Sequence, residues 1–390
     1  MMNRQAVIVS AVRTPVGRCR GVLAPVTAAD LGAQVVAEAV RRAGVHPADI
    51  NDVIFGNLGN NDYANMARVL ALKAGLPMSV PAMTIDRQCS SGLNAIALAA
   101  MMIESGHADI MVAGGTESDS NRPYLVEKPK QPYQVNPPRW AERCVAPGDL
   151  GISMGLTAEN LGRKYGITRK ECDVFSAESH RRAAAAQQAH LFDSQLIPIE
   201  VPGKHGKITV VTQDECVRSD CTPDTLSRLK PAFEENGVCT AGNSSPMSDG
   251  AGAVVLMEKE QAIREKKSIL GAFCDFAVVG CDPRIMGIGP VGAIRSVLKK
   301  TDLTLEDIDL IELNEAFATQ SIACIRELGL DLSRVNVNGG AIALGHPLAG
   351  TGAILTAKLL YELARRNGRY GVVAFCMAGG QGGAAVFKRI

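Results

Sequence analysis

The sequence predicts an α/β protein built from a duplicated unit with a long insertion. Apolar runs of strand length alternate with stretches of helical period along the 390 residues, which is the pattern of an α/β fold. Two blocks of this pattern recur at one spacing, and residues 118–250 between them have no counterpart. Hydrophobic residues make up 46% and charged residues 21% of the chain, which excludes a disordered or fibrous protein.

The predicted elements can be placed in chain order from these patterns. The first helix starts after Thr27, and Gly44 and Gly106 fit the positions just beyond the first two helices. The predicted strands are 5–11, 52–57, 82–87, 109–114, 251–257, 270–279, 308–313, 333–337, 371–376 and 383–388. The predicted helices are 28–43, 90–105, 156–165, 170–189, 290–299, 315–328 and 349–366.

The repeat is visible as two blocks with the same order of elements. In the first, a strand ends at Asn57 and a second strand leads to Cys89, which opens a helix rich in Gly and Ala. In the second, the same order leads to Asn314 and then to His346. Asn57 and Asn314 are 257 residues apart, and so are Cys89 and His346. Two Ala-Gly-Gly segments follow 265 residues apart, at 113–115 and 378–380. Agreement in both order and spacing favours duplication. Cys89 and His346 are then expected to face one another across the seam between the halves.

The repeat also predicts the domain organisation. We expect one half to comprise 1–117 with 251–270, and the other to comprise 271–390. Residues 118–250 are interpreted as an inserted loop domain and a candidate substrate lid. A Pro-rich basic stretch within it is interpreted as a solvated loop, with attraction of phosphates as the alternative. Its basic side chains are Lys128, Lys130 and Arg139.

Charge and cysteine content exclude several classes of protein. Lys and Arg number 41 against 40 Asp and Glu, so the chain lacks the positive field of a nucleic-acid binder. No run reaches the ~18 apolar residues of a membrane helix. Eleven cysteines, an odd number without a C-x-x-C pair, argue against a disulfide framework and against a metal site. Because a strand follows Met1 almost at once, we expect a cytoplasmic protein.

Cys89 is a candidate nucleophile because a strand ends just before it and a helix begins just after it. Backbone N–H groups and the helix dipole at such an end stabilise an anion, so this thiol is expected to ionise more easily than a free cysteine. The alternative is a buried structural cysteine. His346 lies in a Gly-rich turn that lets backbone approach a ligand closely, and its repeat relationship to Cys89 favours a base over a structural histidine.

Two further positions are candidates on their residue types. Cys376 ends an apolar strand before the turn Met377-Ala378-Gly379-Gly380, whose N–H groups can form an oxyanion nest; a core thiol beside a hairpin is the alternative. Asn314 ends the strand 308–313. It is either an N-cap, with Glu315 on the first helical turn, or a side chain that holds a water or a carbonyl oxygen.

Several short motifs occur in order along nearly the whole chain. They are VIVSAVRTPVG at 7–17, QCSSG at 88–92, MGLTAEN at 154–160, TAGNSS at 240–245, NEAF at 314–317, GG at 339–340 leading to GHP at 345–347, and Cys376 with its glycines. Together they resemble the motifs of the thiolase family, which includes acetyl-CoA acetyltransferases and 3-ketoacyl-CoA thiolases. The resemblance implies duplicated α-β-α-β-α layers, an inserted loop domain that binds coenzyme A, and homodimers or homotetramers.

The chemistry implied by the resemblance is CoA-dependent cleavage of a 3-ketoacyl-CoA, or the reverse Claisen condensation. CoA is then a co-substrate, acyl-CoA the partner, and no cofactor is tightly bound. Cys89 would carry the acyl group, His346 would take its proton and Cys376 would move a proton at the α-carbon. One oxyanion hole would use His346 and a water on Asn314, and the other the N–H groups of Cys89 and Ala378. The implied CoA and acyl contacts are Arg218, Thr225, Phe233, Ser245, Met154, Met286 and Phe317.

Three positions depart from the family pattern. Ala378 stands where thiolases commonly carry Gly, which would strain the hole if φ there is positive. Ala349-Gly350 stands where Gly followed by Ala or Cys is usual, a swap of small residues. Ser153 precedes Met154 where acetoacetyl-type members often carry His, which leaves longer or branched chains open.

Two other functions remain as alternatives. A ketoacyl-synthase-type condensing enzyme of the related fold would use an acyl carrier protein, and the second thiol Cys376 argues against it. A non-catalytic acyl-lipid carrier would keep the fold without the chemistry, and the joint presence of Cys89, His346 and Cys376 argues against that.

Overall fold

The computed structural model describes residues 4–60, 62–129, 131, 133, 140–141, 144–203 and 206–390. Lys130 and Arg139 of the predicted basic stretch lie outside the described residues. The strands are β1 Ala6–Arg13, β2 Gly17–Arg18, β3 Asp52–Gly56, β4 Ala82–Ile85, β5 Ile110–Ser118, β6 Ile199–Pro202, β7 Ile208–Val211, β8 Ser248–Glu258, β9 Gly271–Gly280, β10 Leu310–Leu313, β11 Tyr370–Met377 and β12 Gln381–Lys388. The helices are α1 Ala28–Ala43, α2 Met66–Lys73, α3 Ser91–Glu104, α4 Met154–Tyr165, α5 Arg169–Gln188, α6 Pro223–Ser227, α7 Lys259–Arg264, α8 Gly289–Thr301, α9 Ala318–Leu328, α10 Ala341–Leu344 and α11 Thr351–Arg366.

The sheet has the same strand order in both halves when it is followed outward from its centre. β1 and β9 pair at the centre; β1 is followed by β8, β5, β3 and β4, and β9 is followed by β12, β11 and β10. The directions also agree, because β3 is parallel to β5 as β10 is to β11, while β5 and β8 are antiparallel as are β11 and β12. The predicted α/β class and duplication are confirmed.

The predicted strand 333–337 is wrong. Where β4 stands in the first half, the second half has a single parallel bridge between Ile311 and Val335. Asn336 adopts a φ of +44°, which takes the backbone out of the extended region. Its side chain instead accepts from the N–H of Leu313 at 2.9 Å and donates to the Leu313 carbonyl at 2.8 Å. An amide side chain thus replaces a strand at this edge.

The proposed equivalence of residues 113–115 and 378–380 is also wrong. Val53 lies opposite Val112 in the first half, and Leu310 lies opposite Gly371 in the second. Residue 112 therefore corresponds to 371, which puts 113–115 at positions inside β11. The segment 378–380 forms the turn after that strand instead.

Helices α3 and α11 form the central layer of the molecule. One hydrophobic core contains both helices together with one face of each half of the sheet. The opposite faces bury α1 and α2 in the first half and α8 in the second. Alternate residues of β1 divide accordingly, since Val7 belongs to the outer core and Ile8 to the central one. This gives the α-β-α-β-α layering that the family resemblance implies, with Cys89 and His346 before the two central helices.

The segment between β5 and β8 packs on this body through α4, α5 and α6 and the antiparallel pair β6 and β7. Its anchor is a fully buried ion pair in which the guanidinium of Arg13 donates to both carboxylate oxygens of Asp214, at 2.7 and 3.0 Å. Among the described residues, none of the helices has the length and apolar character needed to span a bilayer.

Candidate active site

Cys89 lies in a tight turn that joins β4 to α3. The preceding residue, Gln88, has a φ of +50°, a conformation that non-glycine residues rarely adopt. The hydroxyl of Ser91 fixes the turn, because it accepts from the N–H of Arg87 at 2.8 Å and donates to the Gln88 carbonyl at 2.6 Å. The strained residue directs the chain sharply into the helix, so Cys89 stands at its N-terminal end.

Two glycines bring the first turns of α3 and α11 into contact. A Cβ on Gly92 would meet the carbonyl oxygen of Ala349, and a Cβ on Gly352 would meet the backbone nitrogen of Leu93. Both hypothetical contacts are closer than the 3.0 Å that real Cβ atoms respect. The backbones before the two helices, which carry Cys89 and His346, can therefore approach only because neither position has a side chain.

The backbone N–H groups of Ala378 and of Cys89 itself lie near the sulfur of Cys89. Both lower its pKa, but burial has the larger effect and raises the pKa to about 12. The expectation that Cys89 ionises more easily than a free cysteine is therefore wrong for the free protein. Part of the residue is still accessible. Cys89 is thus a neutral thiol, which would need a base in order to act as a nucleophile.

His346 is a buried imidazole whose two nitrogens both have partners. Nδ1 lies 2.7 Å from the hydroxyl of Thr351, and Nε2 lies 3.3 Å from Nδ2 of Asn314. With the Asn314 amide donating, Nε2 accepts and Nδ1 carries the proton. Burial lowers the pKa of His346 to about 4. The imidazole is thus neutral at physiological pH, as a base must be.

Asn314 follows β10 directly and is held by its backbone. Its N–H donates to the Ala374 carbonyl of β11 at 2.9 Å. Its side-chain Oδ1 is buried and has no hydrogen-bond partner among the described residues. The N-cap interpretation is wrong, because α9 begins only at Ala318 and Phe317 occupies the cap position. The other interpretation, an amide available to a water or a carbonyl oxygen, fits this geometry.

Cys376 is fully buried near the end of β11, close to Cys89. Burial and the nearby Cys89 sulfur hold its pKa well above the ordinary thiol value. In the turn that follows, Gly379 and Gly380 carry the positive φ values, +81° and +77°, whereas Ala378 is not in that region. The Ala378 departure therefore causes no strain in the backbone that presents its N–H group.

The residues expected at the acyl end are brought together. Met154, Met286, Phe317 and Cys376 belong to one apolar cluster, which also contains Ala158, Cys239, Ala316 and Val238. The ring of Phe233 packs edge-to-face on Phe317 at a centroid distance of 5.9 Å. Gly155 makes room for that ring, since a Cβ there would collide with it.

The remaining predicted CoA contacts are spread along one path. Ser245 donates to the Ala316 carbonyl from both its N–H and its hydroxyl, at 3.0 and 3.1 Å. Arg218 lines a separate cleft of about 460 Å³, together with Ser244 and Leu226 of α6. Thr225 lies in α6, where its side chain closes a capping box with Thr222. The segment 244–245 connects the Arg218 cleft to the apolar cluster.

Two residues of the site, Thr351 and Glu117, were not singled out by their sequence pattern, and a third, Glu315, lies elsewhere than expected. The Thr351 hydroxyl is hydrogen-bonded to His346. The only sequence signal for this contact was the position of Thr351, five residues after His346 at the start of a helix. Glu315 is a buried carboxylate that accepts from Ser179 at 2.7 Å and Asn336 at 2.8 Å, rather than lying on a first helical turn. Glu117 accepts from the N–H of Gly59 at 2.6 Å and of Ala349 at 3.4 Å, which ties the two halves together. Nothing in the sequence marked Glu117. Among the described residues no group of His, Cys, Asp and Glu side chains could hold a metal ion.

Comparisons with known proteins agree on one family. The family profile "Thiolase, N-terminal domain" matches residues 6–260, and "Thiolase, C-terminal domain" matches residues 267–389. A curated relative named "3-ketoacyl-CoA thiolase" from Bacillus subtilis is 48% identical over 396 residues, which covers 99% of both chains. "Beta-ketothiolase BktB" from Cupriavidus necator is 43% identical over 407 residues, which covers 100% of both. A solved structure of human mitochondrial 3-ketoacyl-CoA thiolase in complex with CoA has a TM-score of 0.94 and 39% identity, covering 100% of this chain and 99% of that chain.

Proposed function

The chain belongs to the thiolase family, and on that premise we propose that it exchanges acyl groups between CoA thioesters through an acyl-Cys89 intermediate. It is an acyltransferase with CoA-dependent thiolase activity. The residue roles are our proposal. The observation that carries them is the proximity of two buried thiols, Cys89 and Cys376, the first of which lies beside the N–H of Ala378, together with the neutral His346 imidazole that is bonded to the Asn314 amide.

In the first half-reaction, Cys89 attacks the C3 carbonyl of a 3-ketoacyl-CoA. Because the Cys89 thiol is neutral, its proton passes to Nε2 of His346 as the S–C bond forms. The bond between C2 and C3 then breaks and releases the enolate of acetyl-CoA. Cys376 supplies a proton to C2 of that enolate, which completes acetyl-CoA. The proton held by His346 then returns to the Cys376 thiolate, which leaves the acyl group on Cys89 and both groups in their starting states.

In the second half-reaction, the thiol of free CoA attacks the acyl-Cys89 carbonyl. His346 takes the CoA proton, the sulfur of Cys89 leaves with the electron pair of the broken S–C bond, and His346 passes the proton on to that sulfur. The reverse direction, condensation, uses the same groups, with Cys376 as the base that removes a proton from the α-carbon of acetyl-CoA. Two thiols are needed because one is acylated while the other moves a proton.

Both half-reactions develop negative charge on an oxygen, and two sets of donors are available. The N–H groups of Cys89 and Ala378, which meet at the Cys89 sulfur, are suited to the oxygen of a tetrahedral adduct on that sulfur. His346 and a water on the unpartnered Oδ1 of Asn314 are suited to a thioester enolate. Each group acts where charge appears in the transition state, which is where it lowers the barrier.

We propose that residues 118–250 form the loop domain that holds CoA, with 1–117 plus 251–270 and 271–390 as the two halves. Arg218 in its cleft is the candidate partner of a CoA phosphate. Ser245, Phe233, Phe317, Met154 and Met286 line the path from that cleft to Cys89. We include Thr225 among the proposed CoA contacts because it lies on α6. CoA is the co-substrate, and no tightly bound cofactor enters the proposed steps.

Ser153 bears on the substrate. Its hydroxyl accepts from the N–H of Leu156 as the N-cap of α4, one residue before Met154 of the apolar cluster. Because this capping residue is a small serine, we propose that the site accepts 3-ketoacyl chains longer than acetoacetyl. The alternatives of a ketoacyl synthase and of a carrier without chemistry are not favoured, given relatives named as thiolases over the full length.

The proposal also includes a homodimer or homotetramer in the cytoplasm. β4 is an edge strand of the sheet, directly before Cys89, and it exposes Met83. An unpaired edge with an apolar side chain is a surface suited to pairing with a second copy. Eleven cysteines, all present as thiols, suit a reducing compartment.

The function is tested by thiolysis of acetoacetyl-CoA and of longer 3-ketoacyl-CoAs, with and without CoA. We expect CoA-dependent cleavage, and one acyl group per chain by intact mass. Cys89→Ser should lose the acyl group, and Cys376→Ser should retain it but stall the carbon–carbon step. Consumption of malonyl-acyl carrier protein without thiolysis would favour the ketoacyl-synthase alternative.

A further inference from the structure

A second cavity, of about 430 Å³, lies between α5 and α9 and is lined by none of the proposed catalytic residues. Its walls are nearly all apolar, and its volume is within the range of small-molecule sites. The apolar side chains that form the walls are Val174, Phe175, Ile322, Ile325, Leu332 and Val335. Leu332 and Val174, at 50% and 48% exposed, form its mouth.

The floor of this cavity is polar, but its polar groups already have hydrogen-bond partners. Oε2 of Glu315 accepts from the Ser179 hydroxyl at 2.7 Å and from the Ile342 N–H at 3.2 Å, and Oε1 accepts from Asn336 at 2.8 Å. Burial raises the pKa of Glu315, and the same removal from water would disfavour the negative charge of a ligand at this depth. A ligand would therefore place its apolar end toward the floor and its polar end at the mouth.

The rim carries more positive than negative charge. Arg326 pairs with Glu171, and Arg182 pairs with Glu178. Lys170 also lines the cavity and has no ion-pair partner among the residues that the structure describes. One ammonium group is thus available at the mouth of an apolar chamber, which complements a single negative charge at the end of an aliphatic chain.

We propose that this cavity binds an aliphatic monocarboxylate of medium length, with the chain among the six apolar side chains and the carboxylate beside Lys170. The site is separate from the acyl cluster around Cys376 and does not depend on the proposed function. Its floor is continuous with the catalytic loops, because Glu315 follows Asn314 and Ile342 lies four residues before His346. Occupancy should therefore order the segment 336–346.

Binding is tested by calorimetric titration of the full chain with hexanoate, octanoate and decanoate, and with decanol. We expect one saturable site per chain and an affinity that rises about fourfold for each methylene buried. Leu332→Trp should fill the mouth of the cavity and weaken the binding of decanoate at least tenfold. Ile263→Trp, at a position 52% exposed on α7, is the matched control and should leave the affinity unchanged.

The charge is tested separately. Lys170→Gln should weaken the binding of decanoate about two- to fivefold and leave the binding of decanol unchanged, as expected for an exposed ion pair. Lys299→Gln on the exposed surface of α8 is the control and should change neither. Hydrogen exchange should slow on decanoate binding in peptides covering α5, α9 and 336–346.

Three outcomes would overturn the proposal. They are no saturable binding of any chain length, decanoate affinity that survives Leu332→Trp, and displacement of decanoate by saturating CoA, which would move the ligand to the active site. Because titration and hydrogen exchange need no turnover, the result is independent of whether the thiolase assay succeeds.

Discussion

Gly92 and Gly352 lie against each other at the crossing of the two central helices, each in contact with the backbone of the other's helix. Each is the second residue of its helix, three residues after Cys89 in α3 and six after His346 in α11. No side chain fits at either position. The distance between the two catalytic turns is therefore set by a backbone contact.

Gly92→Ala and Gly352→Ala are predicted to lower kcat by about 100-fold, since a displacement of ~1 Å at a catalytic group can cost that much. Overpacking should also lower the free energy of unfolding by about 1–3 kcal/mol. Thiolysis rates and urea unfolding check both effects. Gly166→Ala, where no atom lies within 4 Å but φ is +59°, is the control: backbone strain should lower its free energy of unfolding by about 1 kcal/mol, and it should keep full activity. Normal turnover in Gly92→Ala would mean that the crossing does not position Cys89.

Alkylation of Cys89 is predicted to depend on His346. The raised pKa of the thiol, about 12, leaves little thiolate without a base, so His346→Asn should slow labelling by iodoacetamide at least 100-fold. Peptide mass spectrometry at pH 7.5 gives the rate at each cysteine. The exposed Cys144 is an internal control, and its labelling should not change. Equal labelling of Cys89 in both proteins would remove His346 as its base.

The pH dependence follows from the lowered pKa of His346, about 4. The imidazole stays neutral as the pH falls from 7.5 to 5.5, so kcat/KM should not show an acid limb near 6.5 from this group. Stability behaves differently. The unfolded chain binds the proton with a pKa near 6.5, so the free energy of unfolding should fall as the pH drops from about 6.5 toward 4. Urea unfolding at pH 7.5 and 5.0 measures the slope, which should be smaller in His346→Asn.

Ala378 is predicted to act through its N–H group alone. Since its φ is not positive, Ala378→Gly should leave kcat within about twofold. Ala378→Pro removes the donor and should cost on the order of 100- to 1000-fold in kcat. Thermal unfolding distinguishes a lost donor from a lost fold, and intact mass measures acylation. An active Ala378→Pro enzyme would exclude this N–H group from the oxyanion hole.

The Arg13 and Asp214 pair is predicted to position the Arg218 loop. Asp214→Asn leaves a buried guanidinium without its counter-charge, which should lower the free energy of unfolding by about 3–5 kcal/mol. Because Arg218 lies four residues further on, KM for CoA should rise as well. Asp193→Asn removes the exposed partner of His190 and should cost less than about 1 kcal/mol. An unchanged KM for CoA in Asp214→Asn would separate the anchor from the CoA site.

Much of the fold could be predicted because its signals are local. The helices 28–43 and 349–366 were expected within two residues of α1 and α11, since their apolar spacing and flanking residues lie in the same short segment. The strand 333–337 failed because its apolar residues resemble a strand, whereas Asn336 pairs with Leu313 by its side chain. The hairpin of β6 and β7 was missed, because β7 is mainly exposed and β6 buries only Ile199 and Val201, which is too short a pattern to identify a strand.

The sequence by itself determined the duplicated plan and the family and supplied the candidate reactive groups, because these depend on residue type, order and spacing. The tertiary structure alone decided the protonation of Cys89, the hydrogen bond from Asn314 to His346 and the unstrained Ala378. The physical reason is that burial of a thiol and the direction of an amide depend on which distant segments pack around them. At Cys89, removal from water outweighs the stabilisation that a helix end and two N–H groups provide.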